Sequence, residues 1–435
     1  MGFLEQDKRL SIDSYYEHTA LRNDAYEQLF GARDCDVAVI GGGLAGISAA
    51  LELAERGFDV TVLEADRIGS GASGRNGGQA IHGLACDQGE IERQLGIEHA
   101  REVWQTTIDA LDLIKRHCAR FDIDCEWRGG FLGVATSAGK ARALFESADH
   151  LASAYGYEMR RIPHAEMRRW VDSGRYFGGV HDPRSGHLNP LKYTLGLARA
   201  ARGKGVKIFE HSRARRLVAG ATPKVITETG EVRAKAVLLA ANINMGDLSP
   251  ALSRRTMPVG TFVAATDPLP PDLADSLVPD RSAVCDNDFV LDYFRVSNDG
   301  RLIFGGEATY STLMPARLAD TMRKRMLRVF PQLDQAKIAH LWGGFVDITV
   351  NRTPDFGRLG DTRHNNIYYL QGFSGHGLAL TGIAGKMVAE AIAGEAGKFD
   401  VFSKIRNLPF PGGRLLRTPA LVLGMAWLRM RDSLR

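Results

Sequence analysis

The stretch "DCDVAVIGGGLAGISAALELAERGFDVTVLEA" constrains this chain more than any other. "DVAVI" is a short β-branched run of the kind that forms a buried strand. "LAGISAALELAERG" follows with helical apolar spacing and stops at Gly57, a helix-end signal. "DVTVLEA" is a second buried strand. Strand, glycine turn, helix and strand make one βαβ unit, the building block of a parallel sheet. Gly41, Gly43 and Gly46 in the turn have the G-x-G-x-x-G spacing. The first allows a tight turn, the second lets a pyrophosphate approach the backbone, and the third lets helix and strand pack closely. The helix N-terminus then faces the anion. Glu64 ends the second strand, where a carboxylate accepts from a ribose 2′-hydroxyl and disfavours a 2′-phosphate.

This fingerprint alone does not choose between NAD and FAD. "GASGRNGG", residues 71–78, helps. Half of its positions are glycine, and it follows the second strand with no helix between. Such a loop can run back along the pyrophosphate toward the far end of an extended dinucleotide. Gly77 and Gly78 would admit the cofactor, so that a side chain at Gly78 would clash with the ligand. Ser73, Arg75 and Asn76 would hydrogen-bond to it. A flexible surface loop is the plainer alternative. A third glycine turn, "GFSGHGLALTG", follows the strand-like "NIYYLQ" and opens a helix near Leu378. Its N-terminus supplies partial positive charge, which suits the negative charge of a reduced flavin. His376 would contact flavin or substrate, unless it is an incidental histidine in a backbone turn.

Similar units recur in the middle of the chain, and strand-rich stretches lie between them. "GHLNPLKYTLGLARAARGKG" reads as a helix with Asn189 as N-cap and Pro190 at its first position. "LDYFRVSNDGRLIFGGE" reads as a hairpin turning at Asp299-Gly300. The pattern predicts an α/β chain in which a Rossmann-like, FAD-binding domain interleaves with a strand-rich antiparallel substrate domain. The expected division is a helical arm over 1–32, the FAD-binding domain over 33–115, 186–255 and 338–402, the substrate domain over 116–185 and 256–337, and a tail over 403–435. The helical signal in the arm covers "SYYEHTALRNDAYEQLF". The tail's "LVLGMAWLRMRDSLR" is either an interfacial helix or a segment packed on its own domain.

Composition narrows the function classes. The 435 residues carry a net charge of +4 and no lysine or arginine run, which argues against nucleic acid. Glycine, at 48 residues, exceeds the usual ~7% and clusters in the turns instead of repeating. The five cysteines are scattered without zinc spacing, which predicts reduced thiols and a cytoplasmic location. No run reaches the ~18 apolar residues of a membrane span. His181 and His187 flank "DPRSG" without supporting carboxylate or cysteine spacing, so no metal is expected and a turn with a helix cap is.

The string "VIGGGLAGISAALELAERGFDVTVLEADRIGSGASGRNGGQ" resembles the FAD-dependent amine and amino-acid oxidoreductases of the D-amino-acid oxidase superfamily. "LDYFR", "GFSGHGLALTGIAG" and "PFPGGR" resemble a narrower group within it. The resemblance runs from about Tyr15 to Asp432. It implies non-covalent FAD, lined by Gly41, Gly43, Gly46, Glu64, Ser73, Asn76 and Gly78. It places a backbone contact to the adenine near Ala214. The isoalloxazine ring would meet Gly375, His376, Gly377 and Leu378. The implied chemistry is C–N oxidation: a hydride passes from the amine-bearing carbon to the flavin, and the imine is hydrolysed to an aldehyde. Oxygen is the expected acceptor, giving hydrogen peroxide. A dehydrogenase passing electrons to a quinone or a partner protein is the alternative, because no lysine occurs from Met257 to Tyr310 to assist oxygen. A non-catalytic FAD-binding protein is a third reading.

His376, Tyr293 and Trp342 are the candidates for catalytic contact. Tyr293, Arg295, Trp342, Phe345 and Asp347 are the candidates for substrate contact, with core packing as the plainer fate of Tyr293 and Trp342. Several α-amino-acid relatives carry an arginine just after a W-x-G stretch. Here "LWGGFVDIT" has Phe345 and Val346 instead, and the next arginine is Arg352. An apolar lining with Asp347 nearby suits a long aliphatic amine better than a small zwitterion, whose carboxylate would be buried without a partner unless Arg295 clamps it; the resemblance implies an amine of the γ-glutamylputrescine type.

Overall fold

The computed structural model describes residues 3–11, 13–246, 248–309, 315, 317–359 and 366–411. The βαβ unit forms as the sequence predicts: strand Gly31–Ile40, helix Leu44–Glu55, strand Val60–Leu63. These strands join a sheet whose main path runs Asp355–Leu359, Ile367–Gln371, Gly230–Leu239, Gly31–Ile40, Val60–Leu63, Lys207–Phe209. All neighbours on this path are parallel except the edge strand Asp355–Leu359. That is a Rossmann-like sheet.

The helices Leu44–Glu55 and Gly377–Ile392 follow two of its parallel strands and pack against each other. A Cβ on Gly385 would lie 2.6 Å from the backbone nitrogen of Ala49, and the Ser48 hydroxyl donates to the Gly382 carbonyl at 2.8 Å. Small residues thus bring two helix N-termini side by side at one end of the sheet.

The second sheet runs Ile338–Thr349, Thr256–Thr266, Leu302–Thr309, Tyr293–Val296, Ala283–Asp286, Arg128–Ala135, Gly178–His187, Gln79–Ala80. It is antiparallel apart from the pair Ala283–Asp286 and Arg128–Ala135. The hairpin turns at Gly300 (φ +76°) as expected, with the Ser297 N–H donating to the Arg301 carbonyl. One face of this sheet covers an apolar core with the helix Leu318–Val329. The other face looks toward the first sheet.

Two expectations are corrected. Strand Ile338–Thr349 belongs to the second sheet, paired along its length with Thr256–Thr266, and the chain returns to the first sheet only at Asp355. The expected boundary at 338 therefore falls too early. In the arm, helices cover Phe3–Arg9 and Tyr15–Thr19, but residues 21–30 are not helical. Their backbone finds side-chain partners instead: the Leu29 N–H donates to the Ser212 hydroxyl, and its carbonyl accepts from Thr229. The helix at Pro190–Gly203 is capped as predicted, with the Asn189 carboxamide accepting from the Lys192 N–H. All five cysteines are free thiols. The tail stretch "LVLGMAWLRMRDSLR" lies outside the described residues.

Candidate active site

A cavity of about 870 Å³ runs between the two sheets, within the range of a cofactor site. One end is built from the βαβ unit. Gly41, Gly43 and Leu44 line it, so the N-terminus of helix Leu44–Glu55 opens on the cavity. Gly46 lies beneath, not at the wall: a Cβ there would strike the Gly41 carbonyl. Its role is the close helix–strand packing expected of the third glycine. The Glu64 carboxylate accepts from the Gly42 N–H at 2.7 Å and the Asp66 N–H at 2.8 Å. Burial raises its pKa, opposed by those two N–H groups. Ala214 lines the same end.

The glycine loop is less a cofactor cradle than a folded knot. Ser73 accepts from the Leu44 N–H at 2.9 Å and so caps the helix, and it also faces the cavity. Asn76 donates to the Ala72 and Ser73 carbonyls and accepts from the Gly78 N–H, which shapes the loop from within. Arg75 is buried and pairs with the equally buried Asp7 of the first helix, at 3.0 Å to its carboxylate and 2.8 Å to its carbonyl. Arg75 borders the cavity, but its guanidinium is committed to the arm. A Cβ on Gly77 would run into the Tyr293 ring. A Cβ on Gly78 (φ +78°) would meet the Leu188 carbonyl and the Arg295 guanidinium. Gly78 does not line the cavity. The expectation that it makes room for the ligand is corrected: it makes room for the protein itself.

The third turn brings Gly375, His376, Gly377 and Leu378 to the cavity wall, with His376 preceding the helix Gly377–Ile392. The His376 Nε2 donates to the His82 carbonyl at 2.8 Å. Burial lowers its pKa to about 4, so at neutral pH it is an uncharged ring. Asp347 is buried, and its carboxylate accepts from the Gly372 N–H just before the turn. Burial pushes its pKa up to about 7. Asp347 thus braces the turn from behind, although it borders the cavity.

The second sheet supplies the opposite wall. Side chains alternate along a strand, and register pairs Met257 with Ile348, Val259 with Val346 and Thr261 with Gly344. These six residues border the cavity. Phe345 has the opposite parity; it also borders the cavity, but it is 2% exposed and packs in the core with Phe262 and Phe294. Tyr293 stands at the wall, with its pKa raised by burial and by neighbouring Tyr16 and Cys285.

Trp342 and Arg295 do not reach the cavity. The Trp342 indole is fully buried, donates to the Arg75 carbonyl at 2.8 Å, and meets Tyr16 edge-on. Arg295 donates from Nε to the Gly77 carbonyl and from Nη2 to the Tyr16 hydroxyl. Both support the glycine loop from below. His181 and His187 are separately engaged, His181 beside Asp280 and His187 donating to the Arg281 carbonyl.

Sequence reasoning missed several cavity residues. Asn242 follows the strand Gly230–Leu239 with φ +50° and holds a buried side-chain oxygen without a partner among the described residues. The strand end "LLAAN" was its only signal. Asp7, Phe289, Glu307 and Arg352 also line the cavity. The glycine turn, the carboxylate at the strand end and this unpaired amide oxygen fit a dinucleotide at the first end and middle of the cavity.

The comparisons agree. The model of the family described as "FAD dependent oxidoreductase" matches residues 36–391. A γ-glutamylputrescine oxidoreductase of Escherichia coli (strain K12) is 40% identical over 97% of this chain and 98% of its own length. A probable oxidoreductase OrdL of Haemophilus influenzae is 38% identical over 98% of both chains. Among solved structures, glycine oxidase from Geobacillus kaustophilus superposes with a TM-score of 0.71 at 20% identity, covering 83% of this chain and 95% of that one. The chain belongs to the DAO family of FAD-dependent oxidoreductases: it is an enzyme, its cofactor is FAD, and its substrates are drawn from amines and amino acids.

Proposed function

We propose that this enzyme oxidises the terminal amine carbon of a γ-glutamylated, polyamine-derived amine of the γ-glutamylputrescine type, with oxygen as acceptor and peroxide as its reduced product. One observation carries the reading: the wall of Met257, Val259, Val346 and Ile348 is aliphatic, and the position after the W-x-G stretch is Phe345, not an arginine. A small α-amino acid would have its carboxylate unpaired against that wall, at a cost of several kcal/mol. The 40% identical relative bears the matching substrate in its name.

FAD would be held non-covalently by the Gly41–Leu44 turn, Glu64, Ser73, Ala214 and the Gly375–Leu378 turn. When bound, FAD accepts a hydride from the amine-bearing carbon. The chain's own work is positional. The aliphatic wall and the Tyr293 ring exclude water from the reacting amine. The His376 ring stays neutral and fixes the turn through the His82 carbonyl. The helix beyond it offers an N-terminus toward developing negative charge.

The second reading, transfer of electrons to a quinone or partner, draws on the single lysine that lines the cavity among the described residues, Lys8, which pairs with Asp66 at 3.0 Å. Among the described residues no single helix is long and apolar enough to cross a membrane. The test is anaerobic flavin bleaching with γ-glutamylputrescine, putrescine, glycine, sarcosine and D-alanine in parallel, followed by air and a peroxide assay. Fastest bleaching by γ-glutamylputrescine with one peroxide per turnover is expected. Faster bleaching by any of the three amino acids overturns the substrate. Bleaching without peroxide on exposure to air moves the acceptor to the second reading.

A further inference from the structure

We infer that Arg352 and Glu307 form a subsite for the α-amino-acid end of the substrate, an inference that rests on the function proposed above. Among the described residues, four cationic side chains line the cavity: Lys8, Arg75, Arg213 and Arg352. Lys8 is paired with Asp66, Arg75 is paired with Asp7, and Arg213 adjoins Ala214 at the Glu64 end. Arg352 remains. It lies on the turn after strand Ile338–Thr349 and, among the described residues, has no carboxylate partner. Its guanidinium sits 5.7 Å from the centre of the Phe289 ring. Its backbone has φ +60°, uncommon for a side chain that gains nothing from it. Non-glycine residues held there concentrate at functional sites.

The surroundings hold this arginine in place. Phe289 belongs to the loop between Asp286 and Asp292. The Asp286 carboxylate accepts from the Asp288 and Asp292 N–H groups, and Asp292 is clamped by Arg325 and Arg328 at 2.8 Å each. A braced loop therefore presents the ring against which the guanidinium rests. Glu307 is the acid that complements it. Of the two carboxylates bordering this half of the cavity, Asp347 is turned onto Gly372, while Glu307 keeps only a loose contact of 3.9 Å with Arg325. One guanidinium and one carboxylate match the α-carboxylate and α-ammonium of a γ-glutamyl group. The terminal amine then points away from them, along the aliphatic wall.

The test uses flavin-loaded enzyme and three amines: γ-glutamylputrescine, N-acetylputrescine, which keeps the amide but lacks the α-amino acid, and putrescine. Arg352→Gln is expected to raise KM for γ-glutamylputrescine by about tenfold or more, the scale of a lost charged hydrogen bond. KM for the other two amines and kcat for all three should hold, with unchanged flavin absorbance, and Arg352→Lys should recover part of the loss. Glu307→Gln should act in the same direction, less strongly. If the wild type oxidises γ-glutamylputrescine and Arg352→Gln keeps its preference over N-acetylputrescine, the subsite is wrong and the proposed function stands. If the wild type does not oxidise γ-glutamylputrescine at all, both fall.

Discussion

The two halves of the cavity are made in different ways. The half proposed for the dinucleotide is made of turns: a few neighbouring residues set the geometry, and backbone groups face the cavity. The half proposed for the substrate is made of a sheet face, where each contact depends on which strand lies beside which and in what register. Local chemistry builds the first half, and long-range pairing builds the second. The glycine loop 71–78 lies at the seam. It looks like part of the first half, yet Gly77 and Gly78 answer to Tyr293, Arg295 and Leu188 from the second sheet and its flank.

The strongest way to break this comparison is Gly78→Val. The new side chain would meet the Leu188 carbonyl and Arg295 at a φ of +78°. Loss of soluble, cooperatively unfolding protein is expected, whereas Gly71→Ala, whose Cβ would meet no other protein atom within 4 Å, should express and unfold normally. A folded Gly78→Val that merely lacks flavin would return the loop to the cofactor.

The next effect is a pH dependence. The Asp347 carboxyl rises from 3.8 to about 7 because burial disfavours its charge. The native state then holds a proton that the unfolded chain releases. This contribution is fully present below about pH 4 and is lost as pH rises toward 7, at about 1.4 kcal/mol per unit. Asp347→Asn should flatten that slope in thermal melts from pH 4 to 7, without changing the order of amine preference. An unchanged slope would mean that Asp347 is not the group responsible.

Glu64→Ala should weaken FAD by about 1–3 kcal/mol, the scale of a hydrogen bond to a charged group. Flavin titration into apoprotein reads the loss directly, and a wild-type affinity would remove Glu64 from the dinucleotide half. The smallest effect is expected from Trp342→Phe. It removes the bond to the Arg75 carbonyl, at about 1 kcal/mol of stability, and leaves KM alone because the indole never reaches the cavity. A raised KM with an unchanged melt would restore Trp342 to the substrate wall.

The same division explains what could be read from the sequence. The Gly41–Gly46 turn, the capped helix after Asn189 and the Asp299-Gly300 hairpin each carry their cause within a few residues, and each forms as read. Phe345 and Val346 are neighbours in sequence and both border the cavity, but register packs Phe345 into the core and leaves Val346 to the aliphatic wall. No local pattern fixes that choice, since a shift of one residue reverses it. The partners of Arg75 and Arg295 were hidden for a related reason. Asp7 and Tyr16 lie far from them along the chain, in an arm whose polar sequence gives no hint of burial.

That arm has a consequence for how the molecule is made. Its first helices contact Arg75 through Asp7, Asp299 through Tyr15 and the Gly343 N–H through the Leu10 carbonyl. During synthesis it leaves the ribosome well before Gly343, the most distant of these partners. Contacts so distant in sequence form late and slowly. Until the strands that carry Asp299, Arg295 and Trp342 emerge, the burial site of Tyr15 and Tyr16 is incomplete, and the nascent chain carries their exposed aromatic surface.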